Sequence, residues 1–387
     1  VAYYGATVLR RTVAVAGVLM MGIHGAAGLQ TGRPRARDLG ISPGVSAPGP
    51  LNAITDVDGV RVGHVTLAEG NVRTGVTAIL PHGGNVFRDK VPGAVFVGNA
   101  FGKLAGSTQV QELGTIESPI VLTNTLSVGA ALDAVVRWTV AQPGNENVRS
   151  VNGLVGETND GSLNDIRGFH ITREHVQAAI ANAKSGAVEE GAVGAGTGTI
   201  AFNWKGGIGT SSRRVGQASN QWTVGVLVQS NYGGRLTIAG VPVWRELSVS
   251  RSPDHPMPSP DHPIADGSCM IVVATDAPLD ARDLERLAAR AIFALARTGS
   301  TYSNGSGDFA IAFSTHAANR LTATNGPQPR TILPTDAVSG LFEAALDATE
   351  EAVYNSLLKA TDTTANGRTV RALPIEELKA VLKKYGR

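Results

Sequence analysis

Three short segments of this chain are apolar on both alternations: Cys269-Met-Ile-Val-Val-Ala274, Phe309-Ala-Ile-Ala-Phe313 and Trp222-Thr-Val-Gly-Val-Leu-Val228. A strand presents successive side chains to opposite faces, so such a segment is stable only when both faces are covered. Two packed sheets, each covered by helices, supply that environment. Further β-like stretches fall at 59–62, 75–80, 94–97 and 120–123, and residues 191–248 return to strands. Helical patterns occupy 127–142, 172–184, 280–297, 335–359 and 375–385. The clearest is Asp280 to Arg297, with Leu284, Leu287, Ala288, Ala291 and Leu295 on one stripe. The pattern predicts a layered α/β or α+β fold. The 47 glycines add many tight turns and close backbone approaches.

The strand at 269–274 begins abruptly. Ahead of it lies Ser250-Arg-Ser-Pro-Asp-His-Pro-Met-Pro-Ser-Pro-Asp-His-Pro-Ile-Ala-Asp-Gly267, a proline-rich loop in which Ser-Pro-Asp-His-Pro occurs twice. The repeated Asp and His lack Cys or Glu companions, so a duplicated linker explains them better than a metal site. Ser268 then stands at the mouth of a buried strand behind this tail. Cleavage between Gly267 and Ser268 would leave an α-amine beside a hydroxyl, the layout of an N-terminal-nucleophile hydrolase. Gly267 has no side chain and accepts backbone angles that expose its carbonyl. A second polar loop, Thr298-Gly-Ser-Thr-Tyr-Ser-Asn-Gly-Ser-Gly-Asp308, leads into the next apolar strand. Ser306 and Asp308 share a face in an extended segment, and neighbouring strands would bring them within hydrogen-bond reach of Ser268. Cys269 is the sole cysteine. It alternates away from whatever Ser268 faces and reads as a small buried hydrophobe, not a nucleophile.

These residues belong to a longer pattern. Ala265-Asp-Gly-Ser-Cys-Met-Ile-Val-Val-Ala-Thr-Asp-Ala-Pro-Leu279 resembles the self-cleavage site of the DmpA/BapA peptidases, the L-aminopeptidase/D-esterase and β-peptidyl aminopeptidase group. Other matching blocks are Asn52-Ala-Ile-Thr-Asp-Val-Asp-Gly-Val-Arg-Val-Gly-His64, Thr74-Gly-Val-Thr77, Gly156-Glu-Thr-Asn-Asp-Gly-Ser-Leu-Asn-Asp165 and Gly194-Ala-Gly-Thr-Gly-Thr199. Lys205-Gly-Gly-Ile-Gly-Thr-Ser-Ser212 and Val224-Gly-Val-Leu-Val-Gln-Ser-Asn-Tyr-Gly233 complete the series.

The resemblance implies a four-layer αββα sandwich of the DmpA/ornithine acetyltransferase type. It implies Ser268 as nucleophile, with Ser306 and Asp308 as a relay. Some members carry glutamate where Asp308 stands. It further implies that Asn231 donates to the oxyanion and that Glu157 binds the substrate amine. Asn159 falls in the substrate site, where members with L-aminopeptidase and D-esterase activity carry tyrosine. The base is either the freed α-amine of Ser268 or the Ser306–Asp308 relay. No metal or organic cofactor is expected, and the oligomer implied is a homotetramer.

The activity expected is release of N-terminal L-, D- or β-amino residues from short peptides, amides or esters. A related acyltransferase is the enzyme alternative, although the acetyltransferases use threonine where Ser268 stands. A non-catalytic periplasmic binding protein is the other.

A basic lead ending at Arg10-Arg11, an apolar run Thr12–Ile23 and small residues at Gly25 and Ala27 read as a secretory signal over 1–27. A Pro/Gly-rich arm (28–50) and one catalytic domain (51–387) follow, cut into chains 28–267 and 268–387. A periplasmic or secreted location is expected. Net charge is +2, charged residues are 17% and the basic residues are dispersed, which argues against nucleic acid as a partner. No further segment is long and apolar enough to span a bilayer in the mature protein.

Overall fold

The computed structural model describes residues 1–2, 32–217, 220–247, 267–322 and 326–387. The stretch read as a secretory signal and the duplicated Pro-Asp-His segment lie outside the described residues. Residues 33–387 form one unit.

One sheet carries five strands in the order β1 (Arg61–Leu67), β2 (Thr74–Leu80), β6 (Ile120–Asn124), β7 (Leu154–Thr158) and β4 (Leu104–Ala105). The other runs β10 (Gly207–Val215), β11 (Trp222–Asn231), β12 (Gly267–Thr275), β13 (Ser306–Ser314), β3 (Asp89–Ala100) and β14 (Leu321–Thr322), with β5 (Thr115–Ile116) beside β3. Two small hairpins stand apart: β8 (Ile200–Ala201) with β9 (Trp204–Lys205), and β15 (Thr363–Ala365) with β16 (Arg368–Val370). The helices are α1 (Ser107–Leu113), α2 (Val128–Val140), α3 (Arg173–Ala181), α4 (Val243–Glu246), α5 (Ala281–Thr298), α6 (Ser339–Leu358) and α7 (Ile375–Lys384).

Alternation along β12 shows why its sequence is apolar throughout. Met270, Val272 and Ala274 enter a core shared with Ile79, Ile120, Leu122 and Leu154 of the five-stranded sheet. Cys269, Ile271 and Val273 enter a second core with Leu284, Leu287 and Leu295 of α5 and Leu341, Ala345 and Leu357 of α6. A third core joins Val76, Ala78 and Val121 to α2 and α3. The order of layers is α2/α3, sheet, sheet, α5/α6, which is the αββα sandwich expected.

The expected helices at 127–142, 172–184 and 280–297 correspond to α2, α3 and α5, each trimmed by a few residues at most. Residues 335–338 of the expected 335–359 helix form a 3-10 turn before α6. The short helices α1 and α4 and the β15–β16 hairpin have no counterpart in the sequence reading. Asp280 caps α5 by accepting from the Asp283 N–H at 2.9 Å. That helix carries the chain from β12 to β13, which pair in parallel. β11 lies on the other side of β12, antiparallel. The sheet is therefore mixed, and its parallel step falls between β12 and β13.

The arm is docked by buried charge. Arg213 on β10 and Glu351 on α6 pair at 2.7 Å with both side chains fully buried. Glu351 also accepts from Arg37 at 3.0 Å and from Asn52, and Arg213 donates to the Pro43 carbonyl at 2.9 Å. Removing one partner strands the other charge without solvent. We expect Glu351→Ala to lower unfolding stability by about 3–5 kcal/mol in urea titrations, whereas a loss below ~1 kcal/mol would show the arm is held otherwise.

Candidate active site

Ser268 lies directly across from Asn231 in the β11–β12 register. Opposed residues of an antiparallel pair share a face, with Cβ atoms roughly 5 Å apart. That face is the one turned toward the five-stranded sheet, since Met270 follows Ser268 on it. Opposite β12 runs β7, and the two approach closely at Gly156, where a Cβ would stand 2.7 Å from the Met270 sulfur. Glu157, the next residue, lines the same cleft as Ser268 from the five-stranded sheet. Ser268, Asn231 and Glu157 all line one open cleft of about 1240 Å³.

Each of these side chains is buried and oriented. Asn231 Oδ1 accepts from the Ile200 N–H at 2.9 Å, and Nδ2 donates to the Asn159 carbonyl at 3.0 Å. Those two bonds fix which end of the amide is nitrogen and leave its second N–H hydrogen unspent among the described residues. Glu157 is 2% exposed. Its Oε1 accepts from the Lys103 N–H at 3.0 Å, and the Lys103 ammonium stands 3.5 Å from the same oxygen. Oε2 has no side-chain or backbone donor among the described residues.

Gly267 is required by space. A Cβ there would meet the Asn231 carbonyl oxygen at 2.1 Å and Tyr232 Cα at 2.5 Å. Its φ of 159° lies at the edge of the range that residues with side chains rarely adopt, so close approach of two backbones and conformation both favour the glycine.

The register corrects one expectation. Ser306 and Asp308 do share a face, and β13 does neighbour β12. However, Ser268 is opposite Gly307, while Ser306 and Asp308 are opposite Gly267 and Cys269. Their side chains therefore project to the face that Cys269 takes, toward the helices, and the Ser268 side chain projects to the other. A direct Ser306–Ser268 hydroxyl contact is not made in the continuous chain. Between the two faces lies the backbone itself, and specifically the nitrogen of Ser268.

Asn159 lines the same cleft, its side-chain oxygen accepting from the Gly161 N–H at 3.0 Å. Its backbone carbonyl also holds Asn231.

Asp308 is fully buried, and neither carboxylate oxygen, nor Ser306 Oγ, has a hydrogen-bond partner of ordinary geometry among the described residues. Burial pushes its pKa up to about 6, against a downward pull from the nearby Ser306 hydroxyl and Cys269 N–H. A buried carboxylate without a well-formed partner is costly, which makes Asp308 a candidate functional residue. The Cys269 thiol is raised by burial and then by the Asp308 charge, which leaves it inert beside the serine.

Sequence reasoning did not find the cleft's other contributors. The β8–β9 turn brings Phe202 and Asn203, both in the left-handed region (φ 53° and 68°), to its wall. Beneath it, the buried Lys205 donates to the carbonyls of Gly196, Thr199 and Gly206, each at 2.9 Å. Arg368 enters from β16. The Asn366-Gly367 pair was the available signal, since Asn-Gly favours a two-residue hairpin turn.

An αββα sandwich with a serine at the start of a central strand, beside an amide donor on the neighbouring strand, is the architecture of an N-terminal-nucleophile hydrolase. Comparison with known proteins agrees, and the chain belongs to peptidase family S58, whose profile matches residues 52–370. It is 44% identical to the β-peptidyl aminopeptidase BapA of Sphingosinicella microcystinivorans, over 96% of each chain. It is 42% identical to the enzyme of that name from Sphingosinicella xenopeptidilytica, over 90% of this chain and 91% of that one. Among solved structures, the L-aminopeptidase D-Ala-esterase/amidase of Ochrobactrum anthropi, described as a variant of the Ntn hydrolase fold, superposes with a TM-score of 0.84 at 39% identity. That match covers 92% of this chain and 99% of the other. A Burkholderia sp. β-aminopeptidase gives 0.82 at 40%, with the same coverage.

The Asp308 environment makes a pH-dependent prediction. In the folded chain this carboxyl is raised from 3.8 to about 6. Between those values the native chain holds a proton that the unfolded chain has released, so stability falls as pH rises through that window and the cost is complete above it. With Ser268→Ala keeping the chain continuous, adding Asp308→Asn should stabilise it at pH 7.5 by up to about 3 kcal/mol. The gain should shrink to nothing near pH 4. Thermal melts at the two pH values test this, and a gain that is the same at both would rule it out.

Proposed function

We propose that this S58 peptidase is a self-processing serine aminopeptidase. It cuts its own chain before Ser268 and then releases N-terminal residues, β-amino residues included, from short peptides, amides or esters bearing a free amine. The observation that carries the reading is the convergence of Ser268, the unspent N–H hydrogen of Asn231 and the open oxygen of Glu157 on one cleft.

In maturation, Ser268 Oγ attacks the Gly267 carbonyl carbon. The C–N bond breaks, the hydroxyl proton ends on the departing nitrogen, and that nitrogen becomes the α-amine of Ser268. Water then hydrolyses the ester to a Gly267 carboxylate. Turnover repeats these steps on substrate: attack by Oγ, loss of the amine product, hydrolysis of the acyl-serine. The Asn231 amide stabilises the oxyanion, a contribution of about 3 kcal/mol for one such donor.

The opposed faces at β12 and β13 favour one assignment of the base. A backbone nitrogen lies near the plane of the sheet, so the freed amine reaches Oγ on one face and the Ser306–Asp308 pair on the other. The amine takes the proton from Oγ, and Asp308 provides the buried countercharge behind it. The residue order Glu157, Asn231, Ser268 across the two sheets also suits amine recognition, because a substrate ammonium held by Glu157 Oε2 places its first carbonyl toward Ser268. Export and homo-oligomerisation belong to the same reading, supported by the 12–23 apolar run and by the family resemblance.

Hydrolysis of aminoacyl p-nitroanilides by the purified protein, with L-Ala, D-Ala and β-Ala as acyl groups, tests the activity. Glu157→Gln should raise KM for these free-amine substrates by roughly ten- to hundred-fold, the loss expected for a charge-assisted bond. Wild-type kinetics in that variant would remove Glu157 from amine binding, and no turnover by the wild type would remove the function.

A further inference from the structure

The cleft is lined, among the described residues, by three charged side chains: Lys103, Glu157 and Arg368. Two of them answer each other. The Lys103 ammonium donates to Thr125 Oγ1 at 2.8 Å and stands 3.5 Å from Glu157. Arg368 has no such partner. Its guanidinium makes no hydrogen bond or ion pair with a described residue, although the side chain is half-buried against the cleft wall.

The hairpin that carries Arg368 is, by contrast, tied down along its length. Arg73 donates to the Thr364 carbonyl at 2.8 Å, Asn366 N–H donates to Asn71 Oδ1 at 3.0 Å, and the Thr364 and Thr369 hydroxyls bond at 2.8 Å. At its far end the Lys205 N–H donates to the Arg371 carbonyl at 2.8 Å, joining the hairpin to the β8–β9 turn that also lines the cleft. A rigid support thus presents an uncommitted guanidinium to the cavity that holds Glu157. Guanidinium is the side chain suited to bidentate recognition of a carboxylate.

We propose that Arg368 binds the C-terminal carboxylate of the substrate, so that the preferred substrates are short peptides with both ends free. The proposal rests on the aminopeptidase reading above. Glu157 would hold the ammonium end, Arg368 the carboxylate end, and the scissile carbonyl between them would face Ser268. An amide- or ester-blocked C-terminus would lose the second anchor, and a long peptide would overrun it.

The test compares di- and tripeptides as free acids with the same peptides as C-terminal amides, in the wild type, Arg368→Ala and Arg368→Lys. For the peptide length that fits, the wild type should favour the free acid by roughly ten- to hundred-fold in kcat/KM, expressed mainly in KM. Arg368→Ala should bring the acid-to-amide ratio close to one, and Arg368→Lys should keep an intermediate ratio. An equal ratio in wild type and Arg368→Ala would overturn the proposal, as would a wild type indifferent to amidation at both lengths. A change in oligomeric mass in Arg368→Ala with no change in ratio would also overturn it, assigning the side chain to a subunit contact. Should the wild type cleave none of these peptides nor the p-nitroanilides, the aminopeptidase reading fails and this inference with it. Cleavage of p-nitroanilides without acid preference fails the inference alone.

Discussion

The placement of β12 between β11 and β13 is the constraint from which the site follows. Antiparallel register with β11 puts Asn231 across from Ser268, and parallel register with β13 puts Ser306 and Asp308 on the far side of the same backbone. A slip of one residue in either pairing would reverse every face. The cores prevent such a slip, because Met270 and Cys269 belong to different apolar layers and both are fully buried. Packing energy spent on strand register is therefore also what aims the groups proposed as catalytic.

The same arrangement explains why the chain carries an unsatisfied acid in its interior. In the continuous chain, Asp308 faces tyrosines and a thiol, and burial raises its pKa. A cation arriving nearby would lower that pKa and supply the missing partner. Breaking the Gly267–Ser268 bond creates such a cation within the strand. Under the proposed cleavage the buried carboxylate would be a cost of the precursor that the new ammonium relieves.

Much of this was legible in the residues. Segments apolar on both alternations required two covered sheets, and the stripe on Asp280–Arg297 required the helix that links β12 to β13. The Gly267-Ser268 junction marked the start of β12, and Ser306 and Asp308 were correctly read as sharing a face. Which face that was relative to Ser268 could not be read, because alternation fixes relations within a strand and pairing fixes them between strands. That Glu157 and Ser268 line one cleft was likewise a matter of how the two sheets pack, which no pattern within a single strand reveals. The β15–β16 hairpin was overlooked because Thr363-Thr-Ala and Arg368-Thr-Val carry little apolar signal, despite the Asn-Gly turn between them.

The central claim is that the serine at the mouth of β12 ends its life as an internal residue and does its chemistry as a chain terminus. Intact-mass spectrometry of active protein, before and shortly after mixing with a slowly hydrolysed ester, tests this most directly. The account predicts two polypeptides, the smaller beginning at Ser268, with the acyl group appearing on that smaller one. A single unbroken chain that turns over substrate, or an acyl group carried by the larger fragment, would contradict it.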